Sequence, residues 1–196
     1  MTCGVTVIDK SRRVWIGADS MISSGWDALP SIASKVFEKG HYLIATSGDS
    51  RFRQLLQYEI NYPEPTGDLN KFMATIFIAA IRAATKQAGY TTIDKNRESI
   101  DSTAIIGVRG GYLYTLYSDY CILPATYGFT SIGCARSEAL AILFDSQDLE
   151  PEERIERALK AAEFCSAAVR RHFVTKCLEP LTCTEKTEWP ERKKDE

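Results

Sequence analysis

TCGVTVIDKSRRVWIGADS, residues 2–20, is two short apolar segments joined by a polar turn. Residues 4–8 (GVTVI) are rich in β-branched side chains, residues 9–12 (DKSR) favour a turn, and residues 14–18 (VWIGA) are apolar again. That pattern predicts a β-hairpin. Two polar residues bracket it, Thr2 at its head and Asp19 at its end.

Working outward, residues 20 to about 31 carry few periodic apolar positions and read as a loop. Two more short strands follow at 35–38 and 42–46, joined by a turn at Lys39 and Gly40. The spacing then becomes helical. Phe52, Leu55, Leu56 and Ile60 recur at three- and four-residue intervals after Gly48-Asp49-Ser50, and Pro63 and Pro65 end the run. A second helix over 68–87 has the stripe Leu69, Phe72, Met73, Ile76, Phe77, Ala80 and Ala84. Residues 103–108 and 112–117 flank Arg109-Gly110-Gly111 as another hairpin, with helices at 135–144 and 152–169 and a last strand within 173–184. Strands thus precede two helices, twice over. An α+β fold with two sheets face to face and helices outside, a four-layer αββα sandwich, buries every apolar face this pattern creates. One domain over 1–188 and a charged, disordered tail over 189–196 complete the expected organisation.

Composition narrows the function classes. The chain has 196 residues, 44% hydrophobic and 26% charged, with a formal net charge of -2. Lys and Arg are scattered, which argues against a nucleic-acid partner. Nothing resembles a secretory signal, and no apolar run is long enough for a membrane span. Six cysteines without a CxxC pair, beside only His41 and His172, give no metal site and no cofactor signature. A reduced, cytoplasmic protein is the expectation.

Lys35 is the unusual residue of the next strand. Alternation would place it on one face with Ala33 and Phe37, so its ammonium is partly desolvated and wants a carboxylate. Asp19 is a candidate. These residues make chemical sense together if Thr2 becomes the N-terminus through loss of Met1, which is readily removed ahead of a small residue. A threonine hydroxyl needs a base, and a free α-amine has a pKa of about 7.7–8.0. A nearby cationic Lys35 would keep that amine neutral and stabilise the alkoxide, with Asp19 holding Lys35 in place.

At these residues the chain resembles a known family. TCGVTVIDKSRRVWIGADS, then IASKVF (residues 32–37), then YLIATSGDSRFRQLL (residues 42–56) are similar to the first half of proteasome β-type subunits and the bacterial HslV peptidase. YGFTSIGCARSEALAILF (residues 127–144) resembles, more loosely, a later turn and helix of that family. The resemblance implies the N-terminal-nucleophile (Ntn) hydrolase fold and a threonine peptidase. Thr2 is then the nucleophile and its amine the general base, with Lys35 and Asp19 the activating pair. Gly48 gives its backbone N–H to the oxyanion, and Ser47 faces the pocket for the substrate side chain. It also implies a peptide or unfolded-protein substrate, self-assembly into a homo-oligomer, and an ATP-dependent unfoldase as a possible partner class. Cys134 stands where the family has a serine bonded to the nucleophile's amine, and Ser166 and Val169 replace its supporting Asp and Ser. Those departures favour one alternative, a catalytically inactive assembly subunit; the wider Ntn class supplies another, an amidase acting on small amides, although its members do not generally share the Lys35/Asp19 arrangement.

Overall fold

A computed structural model describes residues 2–24, 27–30 and 34–180. The tail over 189–196, with Ala33 and Cys183, lies outside the described residues. The opening hairpin forms from β1 (Cys3–Ile8) and β2 (Val14–Asp19), in antiparallel register from Gly4 opposite Ala18 to Ile8 opposite Val14. Asp9 makes its turn: its carbonyl accepts from the Arg12 N–H at 2.9 Å, and its carboxylate accepts from the Arg13 N–H at 2.9 Å.

The segment read as a loop instead pairs β3 (Met21–Ser24) with β4 (Asp27–Pro30). Four-residue strands of mixed polarity carry too few alternations to register as strands in a sequence. β5 (Val36–Lys39) and β6 (Tyr42–Gly48) follow as expected. Next come α1 (Ser50–Gln54), α2 (Leu69–Phe72), α3 (Ile78–Gln87) and a small hairpin of β7 (Thr92–Asp94) and β8 (Arg97–Ser99). The second half has β9 (Ser102–Val108), β10 (Tyr112–Leu116), β11 (Ile122–Pro124), β12 (Phe129–Gly133), α4 (Arg136–Asp145), α5 (Pro151–Cys165) and β13 (Phe173–Leu178).

One sheet orders its strands β12-β1-β2-β13 and the other β11-β10-β9-β6-β5. Three apolar cores separate four layers. Val14, Ile16, Ala18, Leu43, Ala45, Ile105 and Ile132 fill the space between the sheets. Phe52, Leu56, Phe72, Met73, Phe77 and Ile81 cover the outer face of the five-stranded sheet at Tyr42, Ile44 and Ile106. Ala139, Leu143, Ile155, Leu159 and Ala162 cover the four-stranded sheet at Cys3, Val5 and Val7. This is the αββα sandwich.

The stripe of the second helix differs in one instructive way. Ile76 is 52% exposed, while Ile78 and Ile81 are buried. Residues Met73–Phe77 form a π-helical turn, whose wider i→i+5 spacing inserts one residue into the repeat. Every apolar position beyond it is rephased, so Ile76 rotates outward and Ile78 inward.

Close packing also locates the end of β2. A Cβ on Gly17 would stand 2.3 Å from Ile155 Cγ2, so only a glycine lets α5 lie this near the strand. Asp19, two residues on, is the last residue of this strand, opposite Phe173 of β13.

Candidate active site

Three of the residues singled out in the sequence come together where β1, β2 and the start of β5 meet. Asp19 is the hub. Both its oxygens accept from the Lys35 ammonium, each at 3.0 Å. Oδ1 also accepts from the Cys3 N–H at 2.9 Å, and Oδ2 from the Met21 N–H at 3.2 Å. A buried carboxylate is tolerable when its lone pairs are filled this way. The Cys3 bond matters most, because that amide is the one joining Cys3 to Thr2. Thr2 itself is buried, and its carbonyl accepts from the Cys134 N–H at 2.7 Å.

Lys35 lies at a bend one residue before β5, so strand alternation does not direct it toward the Phe37 face; its side chain turns to Asp19 instead. Burial lowers its pKa from the ordinary lysine value, while the charge and hydrogen bonds of Asp19 pull it back up. Cys134 raises it and the Arg53 guanidinium lowers it, so both lie within electrostatic reach. Cys3 is fully buried toward α4 and α5, and burial with the Asp19 charge pushes its thiol up to about 12. It is a neutral packing group at ordinary pH.

Gly48 ends β6 opposite Ser102 with φ of 118°, and a Cβ there would stand 2.4 Å from Ser102 Oγ and 2.6 Å from the Asp101 carbonyl. Glycine is required at this turn. The direction of its N–H follows from the ladder. Arg109 donates its N–H to the His41 carbonyl at 3.0 Å, which makes those partners a hydrogen-bonded pair. Counting along an unbroken register, Ser47 and Thr103 are also bonded, and Gly48 and Ser102 are not. The Gly48 N–H therefore turns from β9 toward the edge where β5 begins, which is the Lys35 side. Asp49 then caps α1, accepting from the Arg51 N–H at 2.6 Å and donating its own N–H to Ser102 Oγ at 3.1 Å.

Ser47 lies on the inter-sheet face of β6 with Leu43 and Ala45. Its Oγ and the Thr2 carbonyl crowd the same point beside Gly133, at 2.6 and 1.9 Å from where a Cβ would be. Sequence reasoning passed over Gly133, whose φ of 87° and contact with Thr2 place it in the wall of the site. Its signal was present in the Ile132-Gly133-Cys134 turn, but a glycine in a loop has many uses. Val169 is buried in the core beneath α4 and α5, and Ser166 Oγ accepts from the Ala168 N–H at 3.2 Å. No cluster of three or more His, Cys, Asp or Glu suited to a metal ion occurs among the described residues, and no described helix is long and apolar enough to cross a membrane.

No protein-family model matches the chain, and no curated protein matches its sequence. Its shape is another matter. Thiobacillus denitrificans BPH in complex with epoxomicin is similar over 91% of this chain and 100% of that one, with a TM-score of 0.76 at 16% identity. HslV from Trypanosoma brucei is similar over 90% and 99%, with a TM-score of 0.63 at 16% identity. The Anbu subunit in the helical assembly from Pseudomonas aeruginosa gives 91%, 81%, 0.58 and 15% in the same order. The chain thus has the fold of HslV and proteasome-type subunits, the Ntn-hydrolase sandwich.

Proposed function

We propose that this protein is a threonine-type peptidase whose nucleophile is Thr2, once cleavage ahead of that residue frees its α-amine. One observation carries the reading: a buried Lys35–Asp19 pair whose carboxylate also holds the peptide N–H directly after Thr2. That third bond ties the ion pair to the residue next to Thr2 and so holds the head of β1 beside the ammonium.

The steps balance with the residues at hand. The Thr2 amine takes the hydroxyl proton as Oγ attacks a peptide carbonyl, and the Gly48 N–H receives the developing oxyanion. The amine then passes its proton to the leaving peptide nitrogen as the C–N bond breaks, leaving an ester on Thr2. Water, deprotonated by the same amine, adds to the ester carbonyl, and as the C–O bond breaks the amine returns that proton to Thr2 Oγ and the acid product leaves. Lys35 stays cationic through its bonds to Asp19, and its charge disfavours protonation of the amine. The substrate is an extended peptide or unfolded segment.

Self-assembly belongs to the proposal. Leu140 and Phe144 on α4 and Phe164 on α5 present apolar side chains outward, with Phe164 92% exposed. Burial of this face against a second copy would shield it, and F144E with F164E would shift the mass seen by light scattering to that of a monomer.

Intact mass spectrometry with a covalent inhibitor directed at N-terminal threonine tests the chemistry. Epoxomicin, bound in the similar BPH structure, is a second probe. An adduct on a chain beginning at Thr2, absent in T2A, supports the peptidase. A retained Met1 with no adduct and no peptide hydrolysis overturns it and favours the silent assembly subunit.

A further inference from the structure

Gly48 has no side chain to fix its conformation, and glycine loses more freedom on ordering than any other residue. An N–H that receives an oxyanion must still be aimed before the reaction begins, because only a preorganised donor stabilises developing charge without moving. Neighbours have to hold it. Upstream, the Ser47–Thr103 pair of the ladder does so. Downstream, the Asp49 N–H donates to Ser102 Oγ at 3.1 Å, which fixes the plane of the Gly48–Asp49 peptide. Ser102 is 4% exposed and stands opposite Gly48 in the register.

Ser102 is held in its turn. Its Oγ shares a hydrogen bond of 3.0 Å with the Tyr90 phenol. A serine hydroxyl has three staggered positions. With Tyr90 on one side and the Asp49 N–H on the other, Oγ is kept in one. The Tyr90 ring stacks on Phe52 of α1, with centroids 5.8 Å apart and planes at 20°. Its N–H donates to the Thr85 carbonyl at 2.8 Å, which fixes its backbone to α3. Starting α1 does not require these hydroxyls, because the Asp49 carboxylate caps that helix on the Arg51 N–H. Nor do they face the substrate: Ser102 lies on the β9 side of Gly48, and the Gly48 N–H turns to the β5 side.

We propose that Tyr90 and Ser102 are positioning residues for the oxyanion donor. The phenol orients Ser102 Oγ, and Ser102 Oγ orients the peptide that follows the Gly48 N–H. This rests on the peptidase reading. Such an anchor acts where negative charge develops, in the transition state, and hardly at all on a neutral bound peptide. Its loss therefore lowers kcat and leaves KM in place.

The experiment uses the processed full-length protein, a fluorogenic peptide, and the aldehyde of the same peptide, whose adduct on Thr2 Oγ places an oxygen at the Gly48 N–H. S102A should lower kcat about tenfold, hold KM within about twofold, and weaken the aldehyde by about the same factor as kcat. Y90F keeps the ring on Phe52 and removes only the hydroxyl. It should lower kcat about threefold alone and have no further effect in S102A, since it acts through Ser102. An unchanged kcat in S102A, a loss carried by KM alone, or a full Y90F effect in the S102A background overturns the proposal. So does a fall in kcat that only follows the folded fraction, read from circular-dichroism melts. Amide hydrogen exchange in the T2A background supplies a measurement without chemistry. Exchange at Asp49 should be about tenfold faster when S102A is added, and equal exchange rejects the anchor. Failure of the peptidase reading shows in the wild-type chain, as no cleavage and no aldehyde adduct, and takes the proposal with it. Failure of the proposal alone shows only in the variants.

Discussion

Lys35 and Arg53 are both buried cations, and each lies within electrostatic reach of the other, but they are built into the molecule differently. Lys35 has a dedicated carboxylate, with both oxygens of Asp19 at 3.0 Å, and Asp19 is in turn bonded to two backbone amides. Arg53 has a carbonyl and an amide oxygen at 3.3–3.4 Å, and among the described residues it has no salt bridge to a carboxylate. Removing one member of a completed buried pair strands its partner, whereas removing a cation that faces only neutral acceptors strands no charge.

The first way to break this contrast is at the nucleophile. T2A should reduce peptide hydrolysis by about a thousandfold or more, measured with the processed protein, whereas R53Q leaves the reacting groups in place and should lower it far less. If R53Q abolished cleavage of all peptides alike, Arg53 would belong to the reaction and the contrast would fail.

Stability offers the next test. K35M strands Asp19 as an uncompensated buried carboxylate and should cost about 3–5 kcal/mol in urea denaturation. R53M forfeits two long hydrogen bonds while removing a poorly solvated charge, so its effect should stay within about 1 kcal/mol. Equal losses would mean that Arg53 is as fully paired as Lys35.

Between these falls Gly133. In G133A the new methyl would meet the Thr2 carbonyl at 1.9 Å, from a residue at φ 87°. A cost of about 2 kcal/mol and a displaced Thr2 are expected, seen together as a lowered midpoint and a drop in kcat. Unaltered activity would show that the wall beside Thr2 yields without consequence.

The smallest expected effect is on pH dependence. Burial raises the Cys3 thiol from 9.0 to about 12, so between those values the folded chain keeps a proton that the unfolded chain releases. Stability is unaffected below about pH 9 and falls above it. C3A should make that alkaline fall shallower, with the buried Tyr42 and Tyr62 phenols, also raised, supplying the remainder. Lys35 works in the opposite sense. Its lowered pKa lets the folded chain lose a proton first, so stability gains as pH rises from that pKa toward 10.5. An alkaline fall of the same steepness in C3A would remove Cys3 from the account.

Much of this arrangement was legible before any coordinates. The hairpins at β1–β2, β5–β6 and β9–β10 and the paired helices come from local periodicity, which the chain expresses residue by residue. Asp19 and Lys35 stood out because a charge at a strand end or among apolar neighbours is conspicuous. Other features had no such signal. The π-helical turn that exposes Ile76 depends on how the helix meets Phe77 and its neighbours in the core. The β3–β4 strands are too short for alternation to register.

By itself, the sequence determined the alternation of strands and helices, the four-layer stacking that alternation demands, and the identity of the polar residues too costly to bury without partners. Only the tertiary structure decided which partners they have. Asp19 meets Lys35 and the Cys3 amide across sixteen residues of chain, Gly133 reaches Thr2 from the neighbouring strand β12, and Arg53 has no salt bridge to a carboxylate among the described residues. Hydrophobic patterning is a property of neighbours along the chain and survives in one dimension. Charge compensation and close approach are properties of neighbours in space, and no periodicity encodes which acid a given cation will meet, or that it will meet none.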